Sequence, residues 1–190
     1  SARPHGLVTE DCLDRVTEPV PTADAGEVVA RVVALSVDPT NRVWMREEDS
    51  YLPAVELGAV VRAAGLARVV ESRRDGFTPG DLVMGMPGWQ DYWVIGPDDM
   101  ANVIPPGLEV NDVLSIYGGT GMTAWFGIED VCALQAGEVF VVSGAAGAVG
   151  SVAGQLAKAK GAARVIGVAG SPEKCRWVVD DLGFDACIDY

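Results

Sequence analysis

Small residues crowd one stretch of this chain, VVSGAAGAVGSVAGQLAKAKG, residues 141–161. A Val-rich run precedes them. An amphipathic run follows, with Val149, Val152, Ala153 and Leu156 at i, i+3, i+4 and i+7 of a helix. Where a strand turns directly into a helix, small residues let the backbone approach a ligand closely. The helix start adds free N–H groups and a partial positive charge. Together these suit a pyrophosphate. Ala145, Gly147 and Gly150 stand where a G-x-G-x-x-G has its glycines, and Gly144, Gly147 and Gly150 also make G-x-x-G-x-x-G. The pattern gains weight from its place between strand and helix and from the second βα unit after it. Gly154, one turn beyond Gly150, reads as a packing glycine.

The next strand end tells dinucleotides apart. NAD-preferring folds carry an acid there for the ribose 2′-hydroxyl. Here the window is GVAGS, Gly167 to Ser171, with no carboxylate. Small residues leave room for a 2′-phosphate, and Lys174 follows within reach. The expected cofactor is NADP(H), with Ser171 and Lys174 at the phosphate.

Those residues need a parallel sheet to hold them. From about residue 121 the chain reads helix (GMTAWFGIEDVCAL), buried strand (GEVFVVSG), helix, strand (RVIGVAG), helix (SPEKCRWVVDDLG) and strand (DACIDY). That is β-α-β-α-β, the first half of a doubly wound sheet, from a chain that looks truncated. Ser171 is an N-cap, Pro172 fits the first turn, and Gly183 is a stop. Residues 1–120 are β-rich, with short strands between Gly/Pro turns, as in a small barrel or sandwich. GEVVARVVALSVDP is a strand ended at Asp38-Pro39. GWQDYWVI is another, with Trp89, Asp91 and Trp93 on one face and Gln90 and Tyr92 on the other. The fold class is α/β, divided 1–120 and 121–190.

Composition narrows the partners. The 190 residues are 49% hydrophobic and 22% charged, with a net charge of -13. An acidic surface repels phosphate backbones and anionic lipids, so nucleic acid and membrane are not expected. No signal or spanning pattern is present. Cys12, Cys132, Cys175 and Cys187 form no C-x-x-C, and His5 is the sole histidine. Zinc needs several such ligands at workable spacing; none is expected, and scattered cysteines fit a reducing cytoplasm.

The stretches LSVDPTNRVWM, GFTPGDLVMGMPGWQDYWV, GMTAWFGI, VVSGAAGAVGSVAGQLAKAKGA and GSPEKCRWVVDDLGFDACIDY resemble the medium-chain dehydrogenase/reductase superfamily. More narrowly they are similar to its zinc-free branch of prostaglandin reductases, leukotriene B4 dehydrogenases and NADPH-dependent curcumin reductases. The resemblance implies a GroES-like catalytic domain followed by a Rossmann domain. It implies NADPH-dependent reduction of the C=C bond of α,β-unsaturated ketones or aldehydes. By position it assigns Gly147, Ala148, Val149 and Gly150 to the pyrophosphate loop. It puts Lys174 and Tyr190 at the 2′-phosphate and Thr123 beside the nicotinamide. Thr40 and Trp125 stand where many relatives have Tyr, and Ala63, Ala64 and Ala67 where they are richer in Gly. These departures bear on the substrate more than on the cofactor.

Hydride addition to an enone needs hydrogen-bond donors at the carbonyl oxygen and a proton for the α-carbon. Asn41, Tyr51 and Tyr92 are candidates, with Asn41 and Tyr51 preferred as catalytic. The expected protein is a metal-independent, cytoplasmic enone reductase, a homodimer when full length, acting on a small molecule. A quinone oxidoreductase of the same superfamily and a non-catalytic NADPH-binding protein are the alternatives.

Overall fold

The computed structural model describes residues 2–48 and 50–190, in two compact units, 1–108 and 109–190. In the first, β1 (Val28–Leu35) is the Val-rich strand foreseen above. It ends before Asp38, whose side chain caps the short helix α1 (Pro39–Trp44). Then come β2 (Gly65–Ser72), β3 (Leu82–Gly85), β4 (Tyr92–Ile95) and β5 (Asn102–Val103). They form one antiparallel sheet in the order β4-β1-β2-β3-β5. Val28, Ala30, Ala67, Val69, Val83, Trp93 and Ile95 make its core. Gly85 has no alternative there, because a Cβ would lie 2.4 Å from Trp93 Cη2.

Trp89 and Asp91 are not in β4, as the alternation had suggested. Gly88 has φ +72°, Gln90 N bonds back to the Gly88 carbonyl, and Gln90 Nε2 donates to Pro87 O. The backbone turns there; Val32 N of β1 reaches the Asp91 carbonyl at 2.8 Å, and the regular register with β1 runs from Tyr92.

The second unit begins with α2 (Val110–Leu114) and α3 (Gly119–Phe126), the latter running into one π-helical turn to Val131. β6 (Val139–Ser143), α4 (Ala148–Ala159), β7 (Arg164–Ala169), α5 (Pro172–Asp180) and β8 (Ala186–Asp189) follow. The three strands are parallel in the order β6-β7-β8. The fold class is therefore α/β: a GroES-like β-rich unit and the β-α-β-α-β half of a Rossmann sheet. One expectation fails. β6 is not buried throughout: Phe140 and Val142 pack against the core with Ala145, Ala153, Val165 and Val178, while Val139 and Val141 are each 57% exposed. α4 and α5 cover one sheet face, and alternate strand residues point away from it. No helix among the described residues is long and apolar enough to cross a membrane.

Two contacts set the helix positions. Gly154 abuts Phe184 so closely that a Cβ would lie 1.8 Å from the ring. Asp185 accepts from Val165 N at 2.7 Å and faces Lys158 Nζ at 3.2 Å, joining the start of β7 to the turn before β8. The Val165 amide first, and Lys158 second, hold the Asp185 carboxyl below the usual carboxylate range. Gly154→Ala should destabilise the chain by about 1–3 kcal/mol in denaturant titration, the cost of overpacking a filled site, with partial recovery in the double variant with Phe184→Leu. Because its pKa is depressed on folding, Asp185 stabilises the protein above the ordinary Asp value of about 3.9, and this contribution disappears as pH falls through the folded value. Thermal midpoints should therefore drop on acidification, and Asp185→Asn should lower the neutral midpoint and flatten the acid slope.

Candidate functional site

In parallel strands all C-terminal ends lie at one edge of the sheet, and ligands of open α/β sheets bind at that edge. Ser143 pairs with Val168, and Ala169 with Asp189, so the β6–α4 turn, the β7–α5 turn and Tyr190 share it.

The first turn is built by close approach. Gly144 has φ +58°, Gly147 N donates to its carbonyl at 2.8 Å, and Ala145 N is held by Val168 O at 3.0 Å. A Cβ on Gly150 would lie 2.3 Å from that same Gly144 carbonyl. Only glycine lets α4 start this soon after β6. Ala145 replaces the first glycine of the motif because β7 compensates: Gly167 faces it, and a Cβ on Gly167 would be 2.8 Å from the Ala145 methyl. That methyl is fully buried in the core. The N-cap of α4 is Gly147, and no side chain caps the helix. Ala148 and Val149 are exposed in its first turn. A cleft of about 390 Å³ opens beside this turn, lined by Asn111, Ser115, Thr120, Ala148 and Ser151 among others. The arrangement can hold an anion on backbone amides, as its composition suggested.

At the second turn Ser171 caps α5, its Oγ accepting from Lys174 N at 3.2 Å. Lys158 and Lys160 are both engaged, Lys158 with Asp185 and the Gly183 carbonyl, Lys160 with Glu129. The Lys174 ammonium has no ion pair or hydrogen bond among the described residues, and its side chain is exposed. Tyr190 N donates to Ala169 O at 3.3 Å, and its ring lies 3.5 Å from where a Gly170 Cβ would be. Ser171, Lys174 and Tyr190 thus gather around one turn.

Thr123 lies elsewhere, on the exposed side of α3, where its Oγ1 donates to Gly119 O at 2.7 Å. The two preferred catalytic residues belong to the first unit. Asn41 is buried at 5% exposure and both ends of its amide are engaged. Its Oδ1 accepts from Asp38 N and its Nδ2 donates to Arg62 O, each at 2.7 Å, closing a capping box on α1. The cap uses Asn41 Oδ1 and the Arg62 carbonyl uses one of the two Nδ2 hydrogens, so both contacts fix the amide plane and a second hydrogen remains on Nδ2. Tyr51 is 67% exposed and meets the Trp44 ring edge-on, centroids 6.0 Å apart. Arg62 lies over the Trp44 ring, 5.6 Å from its centroid, and donates to Pro53 O at 2.7 Å. The sequence reading missed Trp44 and Arg62. Trp44 sits one helical turn after Asn41, a spacing that could have flagged it. Tyr92 pairs with Arg31 in β4.

Among the described residues no three His, Cys, Asp or Glu side chains converge on a common point.

Residues 1–103 match the protein family described as the N-terminal domain of oxidoreductase. The chain is 40% identical to the NADPH-dependent curcumin reductase of Escherichia coli (strain K12), over all of this chain and 55% of that protein. It is 38% identical to the 2-alkenal reductase (NADP(+)-dependent) of Nicotiana tabacum, over 87% of this chain and 49% of that protein. The crystal structure of CurA in complex with NADPH from Vibrio vulnificus superposes with a TM-score of 0.90 at 36% identity, covering 100% of this chain and 56% of that one. The chain spans about half the length of the relatives it matches.

The Ser171 cap is testable without any ligand. Ser171→Ala should cost about 1 kcal/mol in urea unfolding, the usual loss for an N-cap hydroxyl; Ser171→Asp should restore most of it.

Proposed function

This chain belongs to the NADPH-dependent reductase branch of the medium-chain dehydrogenase/reductase family, and from that premise we propose that it carries the NADP(H) site of an enzyme reducing the C=C bond of α,β-unsaturated ketones or aldehydes. The observation that carries the reading is the exposed Lys174, unpaired among the described residues, at the turn beside Tyr190, while the other two lysines are engaged. A cation left free at this turn, with no carboxylate in GVAGS, favours a 2′-phosphate over a bare ribose.

The residues take separate roles. The amides of Ala148, Val149 and Gly150 bind the pyrophosphate at the uncapped start of α4, and Gly147, whose own amide is held by the Gly144 carbonyl, lets the ligand approach the turn. Ser171, Lys174 and Tyr190 hold the 2′-phosphate. Thr123 lies beside the nicotinamide. When bound, the reduced nicotinamide supplies a hydride. Charge then develops on the substrate carbonyl oxygen, which needs a donor. Asn41, through its second Nδ2 hydrogen, and Tyr51, exposed against Trp44, are the donors we assign from this chain. The reaction needs no metal on this reading. The curcumin and alkenal reductases support the substrate class by their names. The small-molecule substrate, the cytoplasmic setting and a homodimer of the whole protein complete the proposal.

Lys174→Ala should weaken NADPH binding by about 1.5–3 kcal/mol, the range for hydrogen bonds to charged groups, and leave NADH nearly unchanged in calorimetry. Equal losses for both cofactors would refute the role given to Lys174. For the reaction, NADPH oxidation should follow addition of enones, give the saturated ketone, and survive a chelator. Turnover confined to quinones would replace this reading with a quinone reductase.

A further inference from the structure

Cys175 and Cys187 come from different elements and meet in one corner between α5 and the sheet. Cys187 pairs with Gly167 across β8 and β7. Its thiol fills space that a side chain would otherwise take: a Cβ on Gly167 would sit 3.2 Å from Cys187 Sγ and 3.1 Å from Val178 Cγ1. Cys175 precedes Val178 by one helical turn, so both look from α5 onto the sheet. The Cys175 Sγ is 3.9 Å from the carbonyl of Ala169, the next β7 residue on the same side as Gly167. Both thiols are half-buried and reduced. Burial pushes the Cys187 thiol up to about 11, and the neighbouring Cys175 thiol adds to the rise. Its proton stays in place at neutral pH, which leaves Cys175 to attack an oxidant.

We propose that Cys175 and Cys187 are a redox pair whose disulfide fastens the first turn of α5 to β8. With a peroxide as oxidant the chemistry balances. The Cys175 sulfur attacks the O–O bond, giving a sulfenic acid and one water. The Cys187 sulfur then displaces the hydroxyl, its proton leaving with that oxygen as a second water. Two thiols lose two electrons and two protons, and the peroxide gains them. A dithiol reverses the bond by exchange.

Lys174 directly precedes Cys175, and Tyr190 directly follows the strand that carries Cys187. Fastening the two sulfurs fixes the Lys174 turn against the Tyr190 end and takes Cys175 from Ala169. Oxidation therefore lowers affinity at the 2′-phosphate site. This consequence rests on the function proposed above, whereas the bond itself does not.

The test exposes the purified chain to hydrogen peroxide, blocks remaining thiols with iodoacetamide and digests with trypsin. Cleavage after Lys174 and Arg176 separates the two cysteines, so a linked peptide pair identifies their bond by mass. The expected result is a Cys175–Cys187 link that forms first, is reversed by dithiothreitol, persists in Cys132→Ser and is absent from Cys175→Ser and Cys187→Ala. NADPH affinity should fall several-fold on oxidation, recover on reduction, and stay constant in Cys187→Ala. Links only to Cys12 or Cys132, or oxidation of both thiols to sulfinic acids without a link, would overturn the pair. A link with unchanged NADPH affinity would overturn the coupling. Failure of NADPH to bind the reduced chain would refute the proposed function and leave the mass result standing.

Discussion

The second unit depends on how closely α4 can start behind β6. Gly150 lies against the Gly144 carbonyl with no space for a methyl group. That contact brings the helix start to the sheet edge, where its first amides have no side-chain cap. Unsatisfied N–H groups at an exposed helix start are an anion site by default, because water is their only competitor. The same economy of side chains recurs on the way in. Ala145 fits because Gly167 is bare, and Gly154 because Phe184 needs the room. Small residues on one element are matched by larger ones on the facing element, which is how a close-packed interior tolerates them.

Charge acts on a different scale. A chain with a net charge of -13 opposes an anionic ligand at long range. Binding then needs local positive potential, from the α4 start and from a cation at short range. Screening favours this division, since charges beyond roughly 8–10 Å contribute little at physiological salt. Lys158 and Lys160 work for the fold, in ion pairs with Asp185 and Glu129. The Lys174 ammonium has no ion pair or hydrogen bond among the described residues. The half-buried thiols behind it lie close enough for their oxidation state to matter to the same turn.

The first unit shows the opposite use of polar groups. Asn41 commits its Oδ1 to α1 and one Nδ2 hydrogen to the Arg62 carbonyl, so the fold fixes how its amide is oriented. Buried polar atoms are held by hydrogen bonds because an unmade one costs more than a made one contributes. Tyr51 beside Trp44, with Arg62 over the Trp44 ring, leaves an exposed aromatic corner near this helix.

The order of elements from Val139 to Tyr190, the Ser171 cap, the Gly183 stop and the glycine turn were legible in the sequence, because each rests on local rules: periodicity, capping chemistry and φ preference. The residues at that turn were legible for the same reason. The other decisions needed the tertiary structure. Trp89 left its strand because of a turn at Gly88, β6 exposed alternate residues because helices cover one face, and the Asn41 Nδ2 found its acceptor in a carbonyl far along the chain. Which lysine stays free, and which two cysteines meet, also depends on partners distant in sequence. Local pattern can name a residue's conformation, but only the folded chain supplies the neighbour that engages it or leaves it open.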